Sequence, residues 1–265
     1  MIAHLIATDV GGRGIGRIYP EYRVREGDYL ERAAQLVLKN LKRILIVADF
    51  PIPPTMLPET DGPPGALALA FAIEELGGRA DILTGERTAK AISRFYEHVK
   101  TELPNPSRYS LLISVETPGR ARDGRYYSMS GLEIKVRPYD GLFIEARRLG
   151  IPTIGVGDGG NEIGMGKIRG LIDDRFASVV ETKELIIAGV SNWGAYGLVG
   201  QLSLMEGRGL LGDFNEEIIL KALVEEGLID GILKRPALSV DGLSLELHTR
   251  FLGLLQAIVK AKLSL

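Results

Sequence analysis

The sequence predicts an α/β fold: one doubly wound, mostly parallel sheet with helices on both faces, followed by a helical C-terminal part. Segments of strand length alternate with segments of helical periodicity along most of the chain. The strand segments are continuously apolar, as in a sheet buried on both faces. No linker, repeat or low-complexity segment interrupts this pattern, so we expect residues 1–265 to form a single domain.

Short apolar runs mark the strands. The clearest covers residues 43–48, where Ile-Leu-Ile-Val follows an arginine, and its length and composition favour a buried parallel strand. The sequence predicts strands over residues 43–48, 79–84, 110–115 and 151–156, with two shorter β-like runs at 176–180 and 185–188.

Helical spacing and boundary residues mark the intervening segments. Leu30, Val37 and Leu41 share one helix face. Another helix has two prolines at its entry and two glycines at its exit, at residues 63–64 and 77–78. The sequence predicts helices over residues 28–41, 65–76, 87–100, 141–149, 193–206, 215–226 and 243–262.

Composition narrows the chemistry. The chain has no cysteine, which excludes disulfides, zinc–thiolate sites and cysteine nucleophiles. Its histidines, His4, His98 and His248, lie far apart, so we expect neither a histidine-rich metal site nor a Ser-His-Asp triad. Any metal cofactor is therefore expected to be oxygen-ligated, with Mg²⁺ or Mn²⁺ favoured.

Charge and hydropathy limit the partners. Basic and acidic residues are well mixed and the net charge is −2, which predicts no nucleic-acid partner. No apolar run approaches the roughly 18 residues of a transmembrane helix, and the first residues lack the pattern of a signal peptide. We expect a cytoplasmic protein that acts on a small molecule without a membrane partner. The apolar stripe of the last helix predicts either core packing or a homo-oligomer contact.

The most informative segment is the decapeptide Gly-Asp-Gly-Gly-Asn-Glu-Ile-Gly-Met-Gly at residues 157–166, directly after a predicted strand. Its glycines let the backbone approach a ligand closely. It also carries Asp158, Asn161 and Glu162, which are costly to bury without partners, so we expect these three residues to be catalytic. The alternative is a structural turn that caps the next helix.

Familiar nucleotide-binding and hydrolase motifs are only partly matched here. Residues 155–160 fit Gly-x-Gly-x-x-Gly, but Asp158 would face a pyrophosphate with like charge. The Walker A pattern fails at Ile168, and Trp193 stands where a nucleophile elbow requires glycine. We therefore expect no nucleotide cofactor and no serine hydrolase.

Four loops are expected to form one site. Segments 49–65, 116–131, 157–166 and 190–194 each begin where a predicted strand ends. The carboxyl ends of parallel strands share one sheet edge, and ligands bind there. The sequence therefore predicts that these loops converge.

These loops offer both carboxylates and cations. Glu59 and Asp61 stand two residues apart, which indicates a metal site or an ammonium contact, although Asp61 alone could be an N-cap. Arginines could present paired donors to a carboxylate or phosphate, the alternative being a solvated charged loop. The arginines are Arg120, Arg122 and Arg125 in the second loop and Arg13 in an N-terminal glycine-rich segment.

The fourth loop reads Ser191-Asn192-Trp193 and opens a predicted helix. Ser191 or Asn192 as N-cap explains much of it. The free N–H groups of a helix N-terminus could also bind an anion, and Trp193 could form a wall of the pocket. We expect all three to contact substrate.

Five motifs, in this order, resemble the C-terminal domain of the D-glutamate cyclase family. They are residues 9–14, 59–66, 116–125, 157–166 and 189–195. The resemblance implies conversion of D-glutamate to 5-oxo-D-proline with loss of water, which makes the protein a lyase (hydro-lyase). Eukaryotic members carry a further N-terminal domain that this sequence lacks, so a partner subunit could supply it.

The resemblance also suggests roles. Asp158 or Glu162 would move protons, the arginines would hold the α-carboxylate, and a divalent ion would polarise the γ-carboxyl. The expected metal ligands are Glu59, Asp61 and Asp158. Two alternatives are a metal-dependent hydrolase of a phosphorylated or lactam substrate and a non-catalytic subunit that binds an acidic amino acid.

Overall fold

A six-stranded parallel sheet lies at the centre of the computed structural model, which describes residues 1–172 and 175–264. The strands are β1 (Ile44–Val47), β2 (Pro51–Ile52), β3 (Leu57–Pro58), β4 (Ala80–Leu83), β5 (Val99–Lys100), β6 (Leu111–Val115), β7 (Thr153–Gly157), β8 (Glu184–Ile187), β9 (Ser239–Val240) and β10 (Leu243–Ser244). β2 pairs with β3 and β9 with β10 as small antiparallel hairpins outside the sheet.

The strand order fixes where a ligand can bind. The sheet runs β5-β4-β1-β6-β7-β8, and every neighbouring pair is parallel. The chain therefore builds outward from β1 in one direction and then returns to build from β6 in the other. In doubly wound sheets the crevice at this reversal, beyond the carboxyl ends of the strands, is the usual ligand site.

Helices cover both faces of the sheet, so the predicted fold class is confirmed. They are α1 (Ile2–Ile6), α2 (Ile15–Glu26), α3 (Tyr29–Lys39), α4 (Pro63–Glu75), α5 (Glu86–Ile92), α6 (Asp140–Arg148), α7 (Ser191–Glu206), α8 (Glu216–Glu225) and α9 (Leu245–Leu263). In β1, Ile44 and Ile46 pack in the larger core with α3, α4 and α7, whereas Leu45 and Val47 pack in a second core with α6. Every β1 residue is buried, which explains its continuous apolar pattern.

Two predicted elements are wrong. The helix expected over residues 87–100 ends at Ile92, because Val99 instead pairs with Ile82 and extends the sheet. The β-like run at 176–180 is not a strand. Its Ser178 and Val179 N–H groups donate to carbonyls of the loops at Gly160 and Arg120, so it pairs with the site rather than with the sheet.

The N-terminal helices α1 and α2 were not expected from the sequence. α2 contains Pro20 and has weak apolar periodicity, so the usual helical signal is poor. It is held by tertiary contacts, since the Tyr22 hydroxyl is buried and donates to the Leu185 carbonyl of β8 at 2.5 Å. The last helix begins at Leu245 rather than at 243, because residues 243–244 pair with β9.

A buried polar network joins α7, α8 and α9. The Trp193 indole donates to His248 Nδ1 at 3.0 Å, so His248 carries its proton on Nε2 and donates to the Val240 carbonyl at 3.1 Å. The Tyr196 hydroxyl donates to Glu216 Oε1 at 2.9 Å. Burial raises the pKa of Glu216 from 4.5 to about 7, although the bond from Tyr196 lowers it in part.

We expect Glu216→Gln to make the stability of the protein less sensitive to a rise in pH from 4.5 to about 7. Because the pKa of Glu216 is raised on folding, the folded state gains a proton relative to the unfolded state between pH 4.5 and about 7. The wild-type free energy of unfolding should therefore fall by about 3 kcal/mol across this window relative to the variant. Urea unfolding of both proteins at several pH values measures the difference, and parallel stability curves would contradict it.

Candidate active site

The four predicted loops converge at the carboxyl edge of the sheet. Glu116 directly follows β6, and its Oε2 accepts a hydrogen bond from the Ser191 hydroxyl at 2.6 Å. Asp61, in the loop before α4, accepts a hydrogen bond from the Ser191 N–H at 2.9 Å. Asp158 directly follows β7 and pairs with Arg13. The parallel strands thus bring these residues to one place, as the sequence predicts.

Asp61 and Asn192 cap each other's helices. Asp61 Oδ1 and Oδ2 accept the N–H groups of Asn192 and Ser191 at 2.8 and 2.9 Å, at the start of α7. In return, Asn192 Oδ1 accepts the N–H groups of Gly62 and Gly65 at 3.0 and 2.9 Å, at the start of α4. The expected anion at the N-terminus of α7 is therefore the protein's own Asp61, and the N-cap role expected of it is exerted on α7 rather than α4.

Arg13 lies inside the acidic cluster. Its guanidinium forms a paired contact with Asp158, with both N···O distances 3.0 Å, and reaches Asp241 at 2.5 Å. Asp9 positions the Arg13 loop by accepting N–H groups from Arg13, Gly14 and Gly16 at 2.8 to 3.2 Å. The surrounding carboxylates raise the pKa of Arg13 despite its burial, so it remains a cation.

Asp241 is a site residue that the sequence did not reveal. It follows β9 and has a φ of +54°, a backbone conformation that is uncommon outside glycine and that Asp tolerates better than most residues. The Asp-Gly pair at 241–242 signals a turn. Nothing in the sequence indicates that this turn returns to Arg13.

The decapeptide holds its own carboxylate. Glu162 Oε1 accepts the N–H groups of Asp158 and Gly159 at 3.2 and 2.6 Å, and Oε2 accepts that of Gly160 at 2.7 Å. Asn161 Nδ2 donates to the Tyr127 carbonyl at 2.6 Å. Glu162 thus shapes the glycine turn that presents Asp158, and its geometry favours positioning over the proton transfer expected of it.

Two arginines of the second loop, Arg120 and Arg125, pair with carboxylates outside the acidic cluster. Arg120 forms a paired contact with Asp140, with Nε–Oδ2 and Nη2–Oδ1 distances of 2.6 and 3.0 Å. Arg125 is largely exposed and pairs with Asp123 and Glu133. Arg122 is exposed as well. The contacts of Arg120 and Arg125 therefore do not favour the substrate role expected of them, and the role expected of Arg122 stays a prediction.

Trp193 is also placed differently from the pocket wall expected of it. Its ring is 1% exposed and stacks on Phe251 at a centroid distance of 4.0 Å. It packs in the core between α7 and α9, where its N–H is satisfied by His248. Trp193 follows Asn192 in the sequence but serves the core, because consecutive residues of a helix point in different directions.

A cavity of about 150 Å³ opens beside the cluster. Cavities of this size can bind a molecule such as benzene. The wall residues are Arg13, Phe50, Ile52, Pro53, Glu59, Glu116, Ser128, Met129, Ser130, Asn161, Gly231, Ile232, Lys234 and Asp241. The cavity therefore combines an acidic interior with apolar walls and suits a small zwitterion.

The cluster carries more negative than positive charge. Burial raises the pKa of Glu59, and the charges of Asp241 and Asp61 raise it further. Burial also raises the pKa of Glu116, to which the charge of Glu162 adds, and that of Asp158, which Arg13 lowers in part. Such a site favours the uptake of a proton or of another cation.

Three of these carboxylates could hold a metal ion. Oxygens of Asp61, Glu116 and Asp158 all lie within 4.8 Å of one another, and all three side chains are buried. Asp158 Oδ1 accepts no hydrogen bond, although it lies 3.0 Å from Arg13 Nη2. This triad contains Glu116 where the sequence-based ligand set has Glu59.

The sheet and its cavity define an α/β protein with an acidic cavity at the point where the strand order reverses. A family model described as D-glutamate cyclase-like, C-terminal, matches residues 2–256. The chain belongs to this family, so the resemblance seen in its motifs is confirmed.

A human relative carries the same family name. Human D-glutamate cyclase, mitochondrial, is 34% identical in an alignment covering 76% of this chain and 38% of the human protein. The chain thus spans about two fifths of that relative's length. Exonuclease RecJ bound to manganese has a TM-score of 0.40 at 12% identity, covering 74% of this chain and 42% of that one. RecJ from Thermus thermophilus with Mn²⁺ has a TM-score of 0.41 at 14% identity, covering 78% of this chain and 27% of the RecJ chain.

None of the helices within residues 1–172 and 175–264 has the length and apolar character needed to cross a membrane. The human relative is named as mitochondrial, so a cytoplasmic location for this chain stays a prediction.

We expect Asp61→Asn and Glu59→Gln to affect stability in opposite ways. Asn at position 61 has one acceptor oxygen, so a backbone N–H at the start of α7 loses its partner and stability falls by about 2 kcal/mol. Neutralising Glu59 instead relieves repulsion from Asp241 and Asp61, whose charges raise the pKa of this buried carboxyl beyond the effect of burial. Urea denaturation of each variant tests this, and equal losses would contradict the capping role of Asp61.

Proposed function

We propose that this protein cyclises D-glutamate to 5-oxo-D-proline with loss of water and is therefore a carbon–oxygen lyase. The observation that carries the proposal is the small acidic cavity at the strand-order reversal. Two of its wall residues, Glu59 and Glu116, are buried carboxylates without an ion pair among the residues that the structure describes. Such carboxylates can accept an ammonium group and its protons. Membership of the D-glutamate cyclase-like family supports the choice of substrate.

The reaction needs proton transfer and orientation. The α-ammonium loses a proton, and its nitrogen then attacks the γ-carboxyl carbon. A carbon–nitrogen bond forms and a carbon–oxygen bond breaks, while both protons lost by nitrogen leave with the γ-oxygen as water. A cavity that holds the substrate folded upon itself brings the two reacting ends together, which is a large part of the task.

Glu59 is the better candidate for the base. Its carboxylate lines the cavity, whereas Asp158 is fully buried behind its contact with Arg13 and does not line it. A Cβ at Gly231 would lie 2.2 Å from Glu59 Oε2, so glycine at that position leaves room for the carboxylate. We therefore propose that Glu59, rather than Asp158 or Glu162, transfers the protons. Asp158 then holds Arg13 in place.

We expect Glu59→Gln to lower kcat by about 10²- to 10⁴-fold, the usual loss when a general base is removed. The fold should be retained, because glutamine keeps the shape of glutamate and removes only its charge. The measurement is incubation with D-glutamate and chiral chromatography of 5-oxo-D-proline. The control Glu97→Gln removes a carboxylate whose side chain is 85% exposed and should leave kcat unchanged.

Wild-type protein that shows no turnover, with or without Mg²⁺ or Mn²⁺, would reject the cyclase proposal. Tight binding of D-glutamate without turnover would instead indicate a binding subunit that needs a partner. Full activity in Glu59→Gln would leave the cyclase proposal standing but remove Glu59 as the base.

We also propose that Asp61, Glu116 and Asp158 hold one divalent cation, Mg²⁺ or Mn²⁺. Their oxygens are close enough to share an ion, and carboxylates are the ligands these ions prefer. When bound, such an ion polarises a carboxyl oxygen. The excess of carboxylates over Arg13 gives the site the negative charge that cation binding requires.

Calorimetry can distinguish this set of metal ligands from the sequence-based set, which has Glu59 in place of Glu116. We expect chelator-treated wild-type protein to bind Mn²⁺ or Mg²⁺, Glu116→Gln to abolish binding, and Glu59→Gln to preserve it. Circular dichroism of each variant controls for folding. The reverse pattern would restore the set of Glu59, Asp61 and Asp158. Absence of binding to the wild type at millimolar ion, with and without D-glutamate, would leave Arg13 as the cation of the cluster.

A further inference from the structure

We propose that Lys234 forms a binding subsite for the α-carboxylate of the substrate and thereby selects acidic amino acids. This inference rests on the proposed function and adds a residue to which neither the sequence motifs nor the family resemblance assigns a role. It takes the place of the second-loop arginines, of which Arg120 pairs with Asp140 and Arg125 pairs with Asp123 and Glu133.

Lys234 is the cation of the cavity that remains available to a ligand. Two of the wall residues are basic, Arg13 and Lys234. Arg13 is already engaged by Asp158 and Asp241. The Lys234 ammonium has no ion pair within residues 1–172 and 175–264, and its side chain is exposed at the cavity wall. A carboxylate entering the cavity would therefore find its free positive partner at Lys234.

The turn that carries Lys234 is fixed in an uncommon conformation. Lys234 has a φ of +54°, which is unusual for a residue with a long side chain. The turn is held by Asp230, whose carbonyl accepts the Lys234 N–H at 2.8 Å and whose Oδ1 accepts the Ile232 and Leu233 N–H groups at 2.8 and 2.7 Å. Hydrogen bonds to Asp230 thus define the backbone of the turn that presents the lysine.

The same buried carboxylate also fixes the other side of the cavity. Asp230 Oδ2 accepts hydrogen bonds from the Ser239 hydroxyl at 2.6 Å and from the Gly242 N–H at 2.8 Å, next to Asp241. Among the described non-glycine residues, positive φ occurs at Met56, Glu116, Lys234 and Asp241, and all of these except Met56 line the cavity. Uncommon backbone conformations gathered at one cavity indicate a functional site.

Charge distribution orients the ligand. The acidic interior, with Glu59 and Glu116, suits the ammonium group of an amino acid. The γ-carboxyl must lie beside that nitrogen to react, so the α-carboxylate is the group left for Lys234. Apolar wall residues, including Phe50 and Ile232, suit the methylene carbons between them. The cavity therefore selects an amine that bears two carboxylates over an amine that bears one.

We expect Lys234→Gln to raise KM for D-glutamate by about tenfold to a hundredfold, as for the loss of a charge-assisted hydrogen bond, with kcat changed less than about threefold. Lys234→Arg should restore most of the affinity. The control Arg235→Gln removes a neighbouring exposed charge that does not line the cavity and should leave KM unchanged. Thermal unfolding of each variant checks the fold.

A second ligand assigns the contact to one carboxylate. 4-Aminobutyrate has the amine and the distal carboxylate but lacks the α-carboxylate, so its inhibition constant should be the same in wild type and Lys234→Gln. Wild-type turnover with an unchanged KM in Lys234→Gln would overturn this subsite alone. An equal loss of affinity for 4-aminobutyrate would also overturn it, because Lys234 would then act on overall charge. If the wild type neither converts nor binds D-glutamate, the proposed function is overturned, and the subsite is overturned with it.

Discussion

The reciprocal capping between Asp61 and Asn192 is the interaction on which the site depends. Each side chain satisfies backbone N–H groups at the start of the other's helix. Free N–H groups at buried helix ends are costly, so the two helices must meet with their N-termini adjacent. Their packing is close, since a Cβ at Gly65 would lie 2.8 Å from that of Ala195. This geometry brings the loop carrying Glu59 next to Glu116, and with them the floor of the cavity.

Electrostatics then decide what the site can bind. Carboxylates from four loops surround one arginine, and burial keeps water from screening their charges. Arg13 balances Asp158 and Asp241, and Asp61 is held by backbone donors. Among the described residues, Glu59 is left without a compensating contact inside the cavity. An ammonium group or a metal ion is the natural complement of such a site. A substrate with both an ammonium group and carboxylates could place its ammonium group among the acidic residues while a carboxylate contacts the metal ion.

Family and geometry support the same chemistry from different directions. The chain belongs to the D-glutamate cyclase-like, C-terminal family and spans about two fifths of its human relative. The fold alone would not indicate a reaction, because doubly wound sheets serve many functions. The cavity is compatible with the proposed reaction: it is small, acidic within and, in the part of the chain that the structure describes, lined by one lysine without an ion pair. Proton transfer from an amine and ring closure within one small substrate suit that arrangement.

The sequence by itself determined the parallel sheet, most of its helices and the convergence of four loops. Apolar periodicity is a local property that reveals strands and helices, and parallel strands place the loops that follow them at one edge of the sheet. It also identified Asp61, Glu59 and Arg13 as residues of interest. Only the tertiary structure decided their partners. Asp241 and Lys234 reach the cavity through turns held by Asp230, and Arg120 is drawn away by Asp140. Ion pairs and caps between distant segments depend on how the chain packs, and no spacing within one loop records that packing.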